Sequence, residues 1–130
     1  MAKLMIRVDF SAEDQIGPGK ARLMELISET GSISAAGRAL DMSYRRAWLL
    51  VDSLNTTFKE PVVSTKLGGK AGGGARLTPF GREVLQHYRK LEARAATAGK
   101  AHLAALETAL AKPSARRPAR DVKDPDADHG

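Results

Sequence analysis

The sequence predicts a mainly α-helical fold with a small β wing, an N-terminal strand and a long C-terminal helix. Residues 31–54 contain two short helical patterns joined by a tight turn. Residues 62–77 then contain a strand, a glycine-rich basic loop and a returning strand. Two helices and a turn followed by a strand–loop–strand element is the order of a winged helix-turn-helix.

The composition limits the class of protein. A chain of 130 residues forms one domain with a modest core, and the lack of cysteine excludes disulfides and thiolate metal sites. No apolar run approaches the ~20 residues that span a bilayer, and the N-terminus lacks a signal-peptide pattern, so we expect a cytoplasmic protein without a membrane partner. The net charge of +6 and the pI near 9.9 favour a polyanionic partner.

The N-terminal third contains a predicted strand and a predicted helix. Residues 3–10 alternate between apolar and polar side chains, which indicates a half-buried strand. Residues 11–19 are a predicted connection, broken by Gly17-Pro18-Gly19. Residues 20–30 are the first predicted helix, with Gly31 as its C-terminal stop.

The first helix of the motif is short. Ser32 is a candidate N-cap, and Ile33, Ala36 and Leu40 recur at helical spacing on one buried face. Because Ala36 and Gly37 are small, a second helix can cross closely over the first.

The second helix of the motif carries a basic and aromatic N-terminus. Asp41-Met42 is the predicted turn, Ser43 the N-cap, and Phe58 the predicted end, since Pro61 prevents extension. The residues that share the core face at helical spacing are Ala47, Leu50, Val51, Leu54 and Phe58. The residues predicted to lie largely on the opposite side are Tyr44, Arg45, Trp48 and Leu49. In a helix-turn-helix, that side enters the major groove of DNA.

The predicted wing comprises two strands, over residues 62–67 and 75–77, around the loop 68–74. Glycine lets a backbone press close to a surface, so Lys70 and Arg76 are predicted to meet phosphate or the minor groove. A nucleotide-binding P-loop is excluded, because Ala71 follows Lys70 where that motif requires Ser or Thr.

The last predicted helix begins at Thr78-Pro79, an N-cap followed by a proline at the first position. Gly99 is predicted to kink or split it. Its apolar stripe exceeds what a small winged domain can cover, which predicts a second chain against it. The alternative is that this helix packs back on its own domain. The predicted dimerisation residues are Leu85, Tyr88, Leu91, Leu103, Leu106 and Leu110.

The predicted organisation has three parts. Residues 1–80 form the winged helix-turn-helix, residues 81–112 a helical dimerisation region, and residues 113–130 a disordered, Pro-, Arg- and Asp-rich tail. No nucleophile, base and orienting group come together, and the three histidines form no ligand cluster. We therefore expect neither an enzyme nor a bound metal or cofactor.

Four segments resemble the N-terminal DNA-binding domain of the molybdate-responsive ModE regulators: residues 31–36, 42–48, 68–75 and 77–81. A looser similarity extends to the winged helices of LysR-type regulators. Full-length ModE-type regulators carry C-terminal molybdate-binding domains, where this sequence has a short helical stretch and a polar tail. The resemblance implies DNA binding and dimerisation. Because the similar residues stop before the family's ligand-binding portion, we expect this chain not to bind molybdate by itself, and an effector, where one acts, would do so through a separate protein or at the dimer interface.

The sequence thus predicts a transcriptional regulator that binds double-stranded operator DNA as a homodimer. Tyr44, Arg45 and Trp48 are predicted to face base edges or sugar. The residues predicted to hold mainly phosphates are Ser43, Arg46, Lys66, Lys70 and Arg76, and Ser32 and Ser34 are also predicted to bind DNA. Two other functions stay open: a module that grips a partner protein through the same helix, and an oxyanion sensor or storage protein that uses the dimer interface.

Overall fold

The computed structural model describes residues 2–66 and 74–111, with the side chain of Lys66 outside that description. These ranges contain five helices and two small antiparallel sheets. In chain order the elements are β1 (Val8–Asp9), β2 (Gln15–Ile16), α1 (Pro18–Thr30), α2 (Ile33–Ala39), α3 (Tyr44–Thr57), β3 (Val63–Lys66), β4 (Gly74–Leu77), α4 (Pro79–Ala98) and α5 (Lys100–Thr108). The mainly helical winged helix-turn-helix predicted from the sequence is confirmed.

The N-terminal strand is much shorter than predicted. Instead of a strand over residues 3–10, only β1 is paired, and its partner β2 lies inside the segment predicted to be a connection. A strand needs a neighbour for its backbone hydrogen bonds, and no described strand runs beside residues 2–7. The Tyr88 hydroxyl instead donates to the Ile6 carbonyl at 2.7 Å, so this segment is held by a side chain.

Helix α1 supplies the centre of the core. It begins at Pro18, two residues before the predicted start, because proline suits the first helical position. It ends as predicted at Gly31, whose φ of 70° is left-handed and whose N–H donates to the Ile27 carbonyl at 2.8 Å. The buried side chains of α1 that form the core are Ala21, Leu23, Met24, Leu26 and Ile27.

A buried lysine joins the N-terminal hairpin to two helices. Lys20 is only 6% exposed, and its Nζ donates to the Gln15 carbonyl at 3.0 Å and to Ser53 Oγ at 2.9 Å. Burial lowers the pKa of Lys20, with the nearby Asp14 carboxylate opposing that shift. The two hydrogen bonds satisfy a cation that would otherwise be costly to bury.

Helices α2 and α3 cross closely, as the small residues of α2 predicted. The Ser32 and Ser43 side chains accept from the backbone N–H groups three residues later, each at 3.0 Å, which confirms both N-caps. A Cβ at Gly37 would lie 2.9 Å from the Ala47 Cβ, so glycine is needed for this crossing. Asp41 takes the left-handed conformation at the turn, with φ of 58°.

Helix α3 ends at Thr57, one residue before the predicted end, because Phe58 is extended (ψ of 162°). Near this end Asn55 binds the wing. Its Oδ1 accepts from the backbone N–H groups of Val62 at 2.8 Å and Val63 at 3.1 Å. These bonds fix the direction in which the wing leaves α3.

The wing strands pair in antiparallel register, with Ser64 opposite Arg76. The Ala75 N–H also donates to the Gly31 carbonyl at 2.9 Å. The wing is therefore bonded to the junction between α1 and α2. The predicted glycine-rich loop, with Lys70, lies outside the described residues, apart from Gly74 at the start of β4.

Gly99 divides the C-terminal helical region into α4 and α5, as predicted. Helix α4 packs on the domain and is joined to α1 by Arg89, which pairs with Glu25 at 2.8 Å and with Glu92 at 2.7 Å. The hydrogen bond from Arg89 is the largest cause of a lowered pKa at Glu25. Helix α5 has no buried residue. No helix within the described ranges is long and apolar enough to cross a membrane.

Candidate nucleic-acid interface

The first turn of α3 presents a basic and aromatic surface. Arg45 and Arg46 are exposed, and the Tyr44 side chain is 62% exposed. The Ser43 oxygen caps the helix by accepting from the Arg46 N–H. Because a hydroxyl also has one donor, Ser43 can cap the helix and still offer its O–H to a bound anion.

Trp48 lies beside Tyr44 on α3 but is not freely exposed, which corrects the sequence analysis in part. Its ring is half-buried against the core, and its Nε1 is buried without a hydrogen-bond partner among the described residues. Its edge meets the Tyr44 ring, with centroids 6.1 Å apart. The reason is rotation around the helix: Trp48 follows the buried Ala47, so it flanks the core face rather than opposing it. The exposed Tyr44 ring is therefore supported by the half-buried Trp48 ring.

Helix α2 adds a cation that the sequence analysis did not name. Arg38 Nη1 donates to Ser34 Oγ at 2.9 Å. Ser34, which was predicted to bind DNA, therefore orients this exposed arginine. The spacing of four residues is the signal that could have found the pair. The Ser32 side chain is used as the α2 N-cap and accepts from the Ala35 N–H.

The described part of the wing places Arg76 on its exposed side. A recess of about 410 Å³ lies between this side of the wing and the end of α1. Its lining residues are Gly31, Ser64, Thr65, Gly74, Ala75 and Arg76. Lys66 lies in β3, but its side chain is outside the description, as is the whole of Lys70. Arg82, which the sequence analysis did not name as a site residue, donates to the Leu77 carbonyl at 3.2 Å beside the wing.

The charges of the described residues are distributed unevenly. Ion pairs involve the N-terminal segment, α1 and α4, through Arg7, Arg22 and Arg89. By contrast, five arginines on α2, α3, the wing and the start of α4 have no described carboxylate within 4.0 Å: Arg38, Arg45, Arg46, Arg76 and Arg82. Lys90, Arg94 and Lys100 on α4 and α5 also lack a described ion pair, so unpaired cations are not confined to one face, but the five arginines give this face a positive charge that suits a polyanion.

The predicted dimerisation residues divide into two groups. Tyr88 is only 3% exposed and Leu85 is packed partly against the core, so the prediction that they form a free apolar surface is wrong. Tyr88 is buried because the N-terminal segment covers it, and its hydroxyl donates a hydrogen bond to the Ile6 carbonyl. Leu106 and Leu110 are 66% and 62% exposed, Leu91 is also exposed, and Leu103 is half-buried. The free apolar surface is therefore made by Leu91 on α4, Leu106 on α5 and Leu110 just after α5.

An apolar recess of about 260 Å³ lies beside Leu91. It lies between the N-terminal hairpin and α4, and Leu91 and the exposed Phe10 stand at it. The Phe10 and Phe58 rings meet edge-on there, with centroids 5.7 Å apart. The other lining residues are Val8, Ile16, Val84, His87 and Tyr88.

Comparison with known proteins gives sequence relatives of one kind. The chain is 44% identical over 79 residues to the molybdenum-pterin-binding protein MopB of Rhodobacter capsulatus, a match that covers 61% of this chain and 29% of that protein. It is 41% identical over 73 residues to the molybdenum transport protein ModE of Azotobacter vinelandii, covering 56% and 27% of the two chains. It is 30% identical over 87 residues to the DNA-binding transcriptional dual regulator ModE of Escherichia coli K12, covering 67% and 33%. The chain thus matches about a third or less of each relative, and no family model matches it.

A solved structure supports the fold. The chain resembles a protein in the crystal structure of a CbnR_DBD–DNA complex with a TM-score of 0.52, over 68% of this chain and 95% of that one. The sequence identity is 19%, so this likeness concerns the fold alone. Over about three fifths of its length the chain is therefore similar in sequence to ModE proteins, among them transcriptional regulators, and its fold is a winged helix-turn-helix.

Proposed function

We propose that this chain is a sequence-specific DNA-binding transcriptional regulator that binds operator DNA as a homodimer. The observation that carries the proposal is the first turn of α3, where Arg45 and Arg46 are exposed and no described carboxylate lies within 4.0 Å of either. In the winged-helix fold this turn is the part of the recognition helix that enters the major groove. An arginine there can bind guanine through two hydrogen bonds.

The roles of the neighbouring cations follow from their positions. Arg46 lies to the side of α3 and Arg76 lies on the wing, so both are suited to phosphate contacts, which position a protein without reading sequence. Arg38 is held by Ser34 on α2, the helix that crosses the DNA backbone in this fold. Tyr44, whose ring packs against Trp48, is suited to contact sugar or a base edge.

Replacing Arg45 tests the proposal directly. Arg45→Ala should lower the affinity for a selected operator by about 1–3 kcal/mol and relax the preference at one base pair, because a bidentate base contact is lost. Arg22→Ala is the matched control, since it removes the same charge from α1 outside the proposed interface. If both variants bind operator and random duplex like the wild type, α3 does not read DNA.

Dimerisation is supported by the free apolar surface of α4 and α5. One recognition helix covers one half-site, and operator affinity usually requires two half-sites about one helical turn apart. Leu106 and Leu110 have no partner within the described part of the chain that would bury them, and Leu91 is a further exposed leucine on α4, beside the apolar recess. A second copy of the chain would cover all three.

Sedimentation checks this part of the proposal. The wild type should be a dimer, whereas the double variant Leu106→Gln, Leu110→Gln should dissociate and lose more affinity for a full operator than for a half-site. Ala105→Gln, at an exposed position of α5, is the control and should remain a dimer. A wild-type monomer with full operator affinity would contradict the dimer.

Molybdate binding is the second function considered, because MopB is named a molybdenum-pterin-binding protein. Molybdate is an oxyanion and needs hydrogen-bond donors, of which the apolar recess offers few. We therefore propose that an effector such as molybdate, where one acts, does so through a separate protein or at the dimer interface. Calorimetry with molybdate tests this, and saturable micromolar binding to the purified chain would overturn it.

A further inference from the structure

The outer face of α3 carries three exposed side chains in a row. Arg45, Leu49 and Asp52 are spaced at i, i+4 and i+7, which places them on one side of a helix. The opposite side holds the buried Ala47 and Val51. The row therefore points away from the core, on the face of α3 whose first turn the proposed function places in the major groove.

Two members of the row are unusual for a surface that binds a polyanion. The Leu49 side chain is 51% exposed although it is apolar. Asp52 is an exposed carboxylate, and no described cation lies within 4.0 Å of it. Near phosphates an unpaired carboxylate weakens binding through repulsion, unless it accepts a hydrogen bond from the DNA.

The major groove offers such a donor. The exocyclic N4 amino group of cytosine donates there, and Asp is one of the residues that accept from it. The groove also exposes the thymine methyl group, which apolar side chains contact. Arginine, leucine and aspartate in a row thus match guanine, thymine and cytosine in their chemistry.

We propose that Arg45, Leu49 and Asp52 form a reading stripe, in which Asp52 selects a cytosine and Leu49 a thymine methyl beside the guanine bound by Arg45. This inference rests on the proposed function and adds the bases that the site recognises. Seven residues of helix span about 10.5 Å, and stacked bases are about 3.4 Å apart. The guanine and the cytosine should therefore lie about three base pairs apart in each half-site.

The test is selection of bound duplexes from a random pool, run with the wild type and with Asp52→Asn. The wild type should enrich a cytosine about three base pairs from the guanine, and the preference for that guanine should be lost in Arg45→Ala. Asp52→Asn should lose that preference by about tenfold, or change it to adenine, which asparagine binds through two hydrogen bonds. Leu49→Ala should relax one position between the other two. Glu13→Gln, which changes an exposed carboxylate in the N-terminal hairpin, is the control and should leave every position unchanged.

The outcomes separate the inference from the proposed function. If Asp52→Asn raises the affinity for every duplex equally and leaves the enriched sequence unchanged, Asp52 is only a repulsive surface charge and the inference is wrong. The same holds if the positions lost in Arg45→Ala and Asp52→Asn coincide. If the wild type enriches no sequence at all, it is the proposed function that fails.

Discussion

Replacing Gly81 by alanine should lower the stability of this fold strongly, although the change adds only one methyl group. It lies in the first turn of α4, where the helix passes over the chain entering the wing. A Cβ at this position would lie 2.1 Å from the Val62 carbonyl oxygen and 2.9 Å from its carbonyl carbon. Both atoms are backbone, so no side-chain rotation can relieve the clash.

The magnitude follows from these distances. A normal non-bonded separation is about 3.5 Å, so Gly81→Ala requires α4 and the wing entry to separate by more than about 1 Å. Overpacking of this kind costs about 1–3 kcal/mol and more where the backbone must move. Alanine favours a helix by about 1 kcal/mol relative to glycine, which offsets part of the cost. We expect a net loss of about 2 kcal/mol or more in the free energy of unfolding.

Gly19→Ala is the matched control. Gly19 also lies in the first turn of a helix, α1, but a Cβ there would meet nothing within 4 Å. This variant should be as stable as the wild type or more stable by up to about 1 kcal/mol. Urea unfolding followed by far-ultraviolet circular dichroism measures both variants. Equal stability of the two would refute the close approach of α4 to Val62.

Three further predictions concern the wing, an ion pair and the N-terminal segment. Arg76→Ala should lower the slope of log affinity against log salt by about one, equally for operator and random duplex, and an unchanged slope would remove the wing from the interface. Because the pKa of Glu25 is lowered, its pairing with Arg89 stabilises the fold at pH values above the ordinary carboxyl pKa, and this stabilisation is lost as the pH falls below that value and through the lowered pKa. When the pH is lowered from about 6 to about 3, the free energy of unfolding measured with urea should therefore fall less in Glu25→Gln than in the wild type. An equal fall in both proteins would contradict this. Tyr88→Phe should cost about 1 kcal/mol in thermal unfolding and speed amide exchange near Ile6, because it removes their hydrogen bond; protection like that of the wild type would show that the bond is unimportant.

The sequence by itself determined the parts of this protein that depend on local chemistry. Ser32 and Ser43 were predicted as N-caps and Gly31 as a helix stop, because capping involves residues within one turn of each other. Gly37 was predicted to permit a close helix crossing. The order of these signals was sufficient for the winged helix-turn-helix, and the exposed Arg45 and Arg76 were placed on the correct elements.

Tertiary structure alone decided the features that depend on which distant residues meet. The alternation of residues 3–10 could not show that most of this segment has no strand beside it, nor that the Tyr88 hydroxyl would bind Ile6, 82 residues earlier. For the same reason Tyr88 was assigned to a dimer surface, since a helical stripe does not tell which apolar residues their own chain covers. Trp48 was assigned to the outer face because its side chain lies at the border of the core, where a small rotation of the helix decides exposure. Periodicity defines the faces of an element, but only packing decides what each face touches.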